Sequence, residues 1–188
     1  MRHAPLSTLA LALLLVACDS KPAGGAPPAA VSPKNDAEFC ASLEKLIAAA
    51  DGDFGSLRSG EPSKLMRSWE SSVTLPGSST CRVADKDSVS FGSVFCVLAE
   101  SPDKAAIDAQ QTAAVERVAA CLTGWKSGTG EQLGTRWVEF EPATQKSSNR
   151  SLQVHVRETE PVENARGSVT IDVAVKRPGA KPVSAPGE

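Results

Sequence analysis

Downstream of residue 17 the chain holds one histidine, His155, and that scarcity limits any acid–base or nucleophile chemistry. His155 lies in an alternating run, Leu152 to Glu158, whose outward positions are Gln153, His155 and Arg157. In one register Asp172, from the next alternating run, falls beside it. A Ser-His-Asp arrangement needs a serine held on a strained turn, and the chain has no Gly-x-Ser-x-Gly elbow. His155 therefore reads as an ordinary surface histidine. Asp51-Gly52-Asp53-Phe54-Gly55 opens like a calcium loop, but Ser56 stands at the invariant glycine position and Pro62 at the bidentate glutamate position. Gly124, Gly128, Gly130 and Gly134 are not followed by the Gly-Lys-Ser/Thr of a phosphate loop. No catalytic residue, metal ligand or cofactor site is assigned.

What does break the pattern is Trp137. In the run Arg136 to Glu141, Val138 and Phe140 take the inward positions, so Trp137 points outward with Glu139. Together with His155, Arg157, Asp172 and Lys176 on neighbouring strands it would centre a protein-binding patch, since aromatic and arginine side chains carry much interface energy. The alternative is a loop that covers the ring while the charges pair across strands in solvent.

The start of the chain carries a different chemistry. Arg2 and His3 precede an apolar run from Leu9 to Ala17, too short to span a bilayer and followed at once by Asp19, Ser20 and Lys21. Leu15-Val16-Ala17-Cys18 resembles the lipobox of bacterial lipoproteins. The resemblance implies cleavage before Cys18, diacylation of its thiol and acylation of the new amino group. Two or three acyl chains anchor stably, at about 0.8 kcal/mol per buried methylene. Asp19 resembles the signal that keeps enteric lipoproteins on the inner membrane, which favours that membrane over the outer one. Residues 18–34, rich in Pro, Gly, Ala and Ser, read as a flexible leash, and residues 178–188 as a disordered tail.

Removing Cys18 to the anchor leaves four cysteines, Cys40, Cys81, Cys96 and Cys121, in a chain bound for an oxidising compartment. No spacing is Cys-x-x-Cys, so two structural disulfides are expected. Three connectivities are possible; the local structure favours Cys81 with Cys96 and Cys40 with Cys121. The formal charge of −2 becomes −3 once Arg2 is lost with the leader, with neither a basic stripe nor an acidic block, which disfavours nucleic acid.

Residues 35–177 are enough for one domain. Asn35 and Glu38 make a capping box for a helix with Phe39, Cys40, Leu43, Leu46, Ile47 and Ala50 on one stripe, ended by Asp51-Gly52. A Gly-rich loop and a short helical turn, Ser63 to Trp69, follow. Strands are expected at Ser71 to Leu75, Thr80 to Ala84 and Val89 to Ala99, broken by Pro76-Gly77 and Asp85-Lys86-Asp87. A hairpin centred near Ser88 would set Cys81 opposite Cys96. Ser101-Pro102-Asp103 starts a second helix, capped by Ser101 and running to Thr123, with Ile107, Ala114, Val115, Val118, Cys121 and Leu122 inward. After a Gly-rich connection come strands Arg136 to Glu141, Leu152 to Glu158 and Ser168 to Lys176, the last with Val169, Ile171, Val173 and Val175 inward. The pattern α-β-β-β-α-β-β-β implies a two-layer α+β domain, both helices on one face of an antiparallel sheet.

The expected function is a non-enzymatic binding module held in the cell envelope, facing the periplasm, with the membrane and an envelope protein as partners and no small-molecule substrate. A structural envelope component and a small periplasmic enzyme are the alternatives. Replacing Cys18 by serine should abolish incorporation of labelled fatty acid and release the chain from the membrane fraction or stall it as precursor. Equal labelling of the two chains would refute lipidation at this residue.

Overall fold

A computed structural model describes residues 33–64, 67–84, 92–144, 151–163 and 165–176. The expected leader, most of the linker, the tail, the Asp85-Lys86-Asp87 turn, Ser88 and the side chains of Asn35 and Lys176 lie outside the described residues. Helix α1 (Pro33–Ala48) buries Phe39, Leu43 and Leu46 at helical spacing. It begins before Asn35, so Asn35 is a helical residue and not the N-cap. Proline suits a first turn because its missing N–H has no intrahelical partner there. The helix runs on into a 3-10 turn, Ala49–Gly52. Asp53 and Phe54 then take positive φ, 50° and 59°, and the reversal drops the Phe54 ring into the core, fully buried.

Eight strands follow: β1 (Arg58–Ser59), β2 (Ser68–Ser71), β3 (Thr80–Ala84), β4 (Gly92–Ser101), then helix α2 (Lys104–Cys121), then β5 (Trp125–Gln132), β6 (Thr135–Pro142), β7 (Ser151–Thr159) and β8 (Gly167–Lys176). They form one antiparallel sheet in the order β1-β2-β3-β4-β8-β7-β6-β5. The class is α+β with two helices, as the pattern implies, but the sheet has eight strands where six were expected.

The differences have local causes. The short helical turn expected over Ser63 to Trp69 is confined to its first part, where Arg67 N donates to Ser63 O (2.9 Å); Ser68 and Trp69 belong instead to β2, which also replaces the strand expected over Ser71 to Leu75. There Arg82 of β3 donates from Nε to Ser68 Oγ (3.0 Å) and from Nη1 to Glu70 Oε1 (3.0 Å), and Arg58 stacks 4.0 Å from the Trp69 ring centre. The Gly-rich connection is strand β5, which has no apolar alternation to announce it and is paired along its whole length with β6. The cap of α2 is Asp103, whose carboxylate accepts from Ala105 N (2.9 Å); Ser101 ends β4, its hydroxyl accepting from Asp103 N. That helix stops at Cys121, two residues short of Thr123.

Alternation sorts the sheet into an apolar and a polar face. Val83, Val94, Val154, Val156, Val169, Ile171 and Val173 are buried, and α2 packs on β4, β7 and β8 through Ile107, Ala114 and Val118. Both disulfides join this core. Cys81 pairs with Cys96 directly across β3 and β4, and Cys40 with Cys121 ties α1 to α2.

The β5–β6 connection is a two-residue turn, Leu133-Gly134, with φ of 50° and 71°, the signs of a type I′ hairpin. Leucine pays for this with strain of about 1–2 kcal/mol, and its side chain, 91% exposed, recovers little by burial. Leu133→Asn, which tolerates the left-handed region, should stabilise the protein by about 0.5–1 kcal/mol. Urea unfolding reads the change, and a lower midpoint for the variant would contradict the strain argument.

Candidate functional site

The polar face gathers the residues singled out in the sequence. Pairing sets Glu139 of β6 opposite His155 of β7, His155 opposite Asp172 of β8, and Trp137 opposite Arg157. Long side chains on three adjacent strands therefore meet in a continuous row. His155 Nε2 lies 3.0 Å from Glu139 Oε2, and Arg157 Nη2 lies 3.0 Å from His155 Nδ1. A guanidinium only donates, so Nδ1 accepts, and Nε2 carries the proton that goes to Glu139. Both ring nitrogens of His155 are thus engaged. Arg157 Nε in turn sits 2.6 Å from Asp172 Oδ2.

His155 is not a surface residue, as its lone position in the sequence suggested. It is 8% exposed, because long side chains on both flanking strands lie against it. Two neighbours went unassigned in the sequence. Gln153 donates from Nε2 to Glu139 Oε1 (3.0 Å) and to Glu141 Oε1 (2.6 Å), extending the row by one rung. Strand parity was the signal for both, since Gln153 is two residues from His155 and Glu141 two from Glu139.

Trp137 is half-buried and lies against its own hairpin. Its ring lies against Gly130, the residue directly opposite on β5, so closely that a Cβ there would fall 2.4 Å from a ring carbon. Any side chain at 130 would displace the indole. On the opposite, helix-bearing face an open cleft of about 360 Å3 is lined by Gln111, Thr129, Glu131 and Arg136.

A second polar cluster occupies the apolar face. Glu158, inward by the same alternation as Val154 and Val156, is fully buried; Arg136 Nη2 bridges its Oε1 and Asp108 Oδ1, each at 2.6 Å. Lys104 Nζ adds contacts to Asp108 (2.8 Å) and Glu160 (3.4 Å). The hydrogen bond from Lys104, aided by the one from Arg136, holds the Asp108 carboxyl below its usual range. This chain of charges pins α2 to β6 and β7.

Among the described residues no cluster of His, Cys, Asp and Glu is placed to hold a metal ion, and no helix is long and apolar enough to cross a membrane. Comparison with protein-family models, curated proteins and solved structures gives no match to the chain.

Burial pushes the Asp172 carboxyl above its ordinary range, against the opposing pull of Arg157. The folded chain then binds this proton more tightly than the unfolded chain. Stability from this group is present below the unfolded value of about 3.9 and is lost as pH rises through the raised one. Asp172→Asn should therefore be more stable than the parent at pH 7, with the gap closing on acidification. Arg157 keeps 43% of its side chain exposed, which limits the cost of losing the ion pair, although its Nε is buried. Urea midpoints for both chains across that range test this, and a gap that widens toward acid would reverse the assignment.

Proposed function

We propose that the chain is an envelope lipoprotein, anchored through Cys18, whose domain is a non-enzymatic module that binds another envelope protein through the polar sheet face. We infer a two-layer domain, with both helices on the apolar side of the sheet and the polar side left to meet a partner. The observation that carries this reading is the ordered row Glu139-His155-Arg157-Asp172 beside the half-buried Trp137. Both ring nitrogens of His155 are occupied within the row, which suits an orienting role better than proton transfer. The pairing of an amphipathic aromatic ring with a positioned arginine is typical of residues that dominate binding energy. Two disulfides suit an oxidising compartment, in keeping with export.

Crosslinking in the native envelope followed by mass spectrometry would identify the partner. Trp137→Ala should abolish or strongly weaken that crosslink. Its stability loss should stay below about 2 kcal/mol, because the ring is covered mainly by Gly130, whereas truncating a fully buried tryptophan costs about 3–5 kcal/mol. A large drop in melting temperature with capture unchanged in the folded fraction would remove Trp137 from the binding surface.

A further inference from the structure

We propose that the exposed edge of β5 pairs with β5 of a second copy of this chain across a two-fold axis. This goes beyond the binding face proposed above and does not rest on it. Strand β5 ends the sheet, and the opposite edge, β1, is only two residues long. Among the described residues none pairs with β5 on its outer side, although it runs eight residues and is mostly exposed.

Which backbone groups face outward follows from the hairpin. In a type I′ turn the residue before the loop accepts from the residue after it, so Gln132 and Thr135 form a hydrogen-bonded pair. On the other side Gly134 O accepts from Glu160 N (3.1 Å), which puts the even-numbered residues of β6 toward β7 and the odd ones toward β5. By the same alternation Gln132, Gly130, Gly128 and Lys126 bond to β6. Glu131, Thr129, Ser127 and Trp125 direct their N–H and C=O groups away from the sheet. Trp125 N is already bonded to Leu122 O (3.1 Å) at the end of α2. Ser127, Thr129 and Glu131 remain as a template for a further strand.

The strand is complementary to itself. A two-fold axis perpendicular to the sheet keeps each residue on its own face, and centring it on Thr129 pairs all three outward residues. Thr129 then meets Thr129, and each Ser127 hydroxyl meets a Glu131 carboxylate. On the other face Lys126 meets Gln132 and Gly128 meets Gly130, two residues that bring no side chain of their own, with the Trp137 ring lying over Gly130. No like charges face each other. A heterologous strand would have to reproduce this match, whereas a second copy carries it already.

The test uses the full chain in detergent micelles. Sedimentation should show a reversible dimer, and Thr129→Pro, which removes an outward N–H and leaves the β5–β6 ladder intact, should shift it to monomer with an unchanged circular dichroism spectrum. Register is read separately with a short bis-maleimide against the parent chain as background. Thr129→Cys should crosslink to itself, and Ser127→Cys should crosslink to Glu131→Cys better than either does to its own kind. A chain that stays monomeric, a dimer that survives Thr129→Pro, or Thr129→Cys that fails to crosslink would each overturn the proposal.

Discussion

The register of β4, β8 and β7 is the constraint on which everything else depends. Val94, Val173 and Val154 align across these strands, and one step along each strand Phe95, Asp172 and His155 align on the opposite face. Because side chains alternate, a slip of one residue would exchange the two sets. Burying each large aliphatic side chain is worth about 1.5–3 kcal/mol, and moving a charge inside costs several more. The correct register therefore wins by a wide margin. The Cys81–Cys96 bond holds the neighbouring β3–β4 pair in the register that the valines select.

The same alternation that builds the core also carries a cost, because it places Glu158 inside. Arg136 is its direct cross-strand partner, so the register that buries the carboxylate also delivers its counter-ion. The pair does not close perfectly: Glu158 Oε2 and Arg136 Nε are buried without a hydrogen-bond partner among the described residues. An apolar pair of similar volume would serve stability as well or better. What the ionic pair adds is direction. Arg136 reaches on to Asp108, and so fixes where α2 crosses the sheet at its N-terminal half, while Cys40–Cys121 fixes α1 against its C-terminal end.

How legible the molecule is in its sequence varies by element. Strands β7 and β8 and helix α2 are nearly fully readable, because period-two and helical apolar patterns are strong where one side is buried. The disulfide partners follow from those patterns. Strand β5 is invisible, since Trp-Lys-Ser-Gly-Thr-Gly-Glu-Gln has no alternation and exists as a strand only because β6 pairs with it. Strand β2 is hidden for a related reason, since it is set by its pairing with β3 and by side-chain bonds from Arg82. The candidate site is half-legible: parity puts Trp137, Glu139, His155, Arg157 and Asp172 on one face, but the burial of His155 depends on the length of its neighbours' side chains. Nor does any local pattern say that Gly130 is the seat of the Trp137 ring.

A solvated sheet face and a binding face of the same composition differ in how much order exists before a partner arrives. Arg157 is ion-paired with Asp172, though its Nε makes no hydrogen bond, and is held at Nη2 by His155, which Glu139 and, through it, Gln153 hold in turn. An arginine in solvent ordinarily loses about 0.5–1.5 kcal/mol on being immobilised at an interface. Here much of that loss is met in folding, while 43% of the side chain stays exposed, directly opposite Trp137. The indole is likewise positioned by its contact with Gly130, which leaves it few ways to move. The desolvation of His155 and Asp172 is hard to account for as a stability device, because burial works against the Asp172 carboxylate. It becomes intelligible if the row exists to hold Arg157 and Trp137 in one fixed relation, so that a partner meets a surface already arranged.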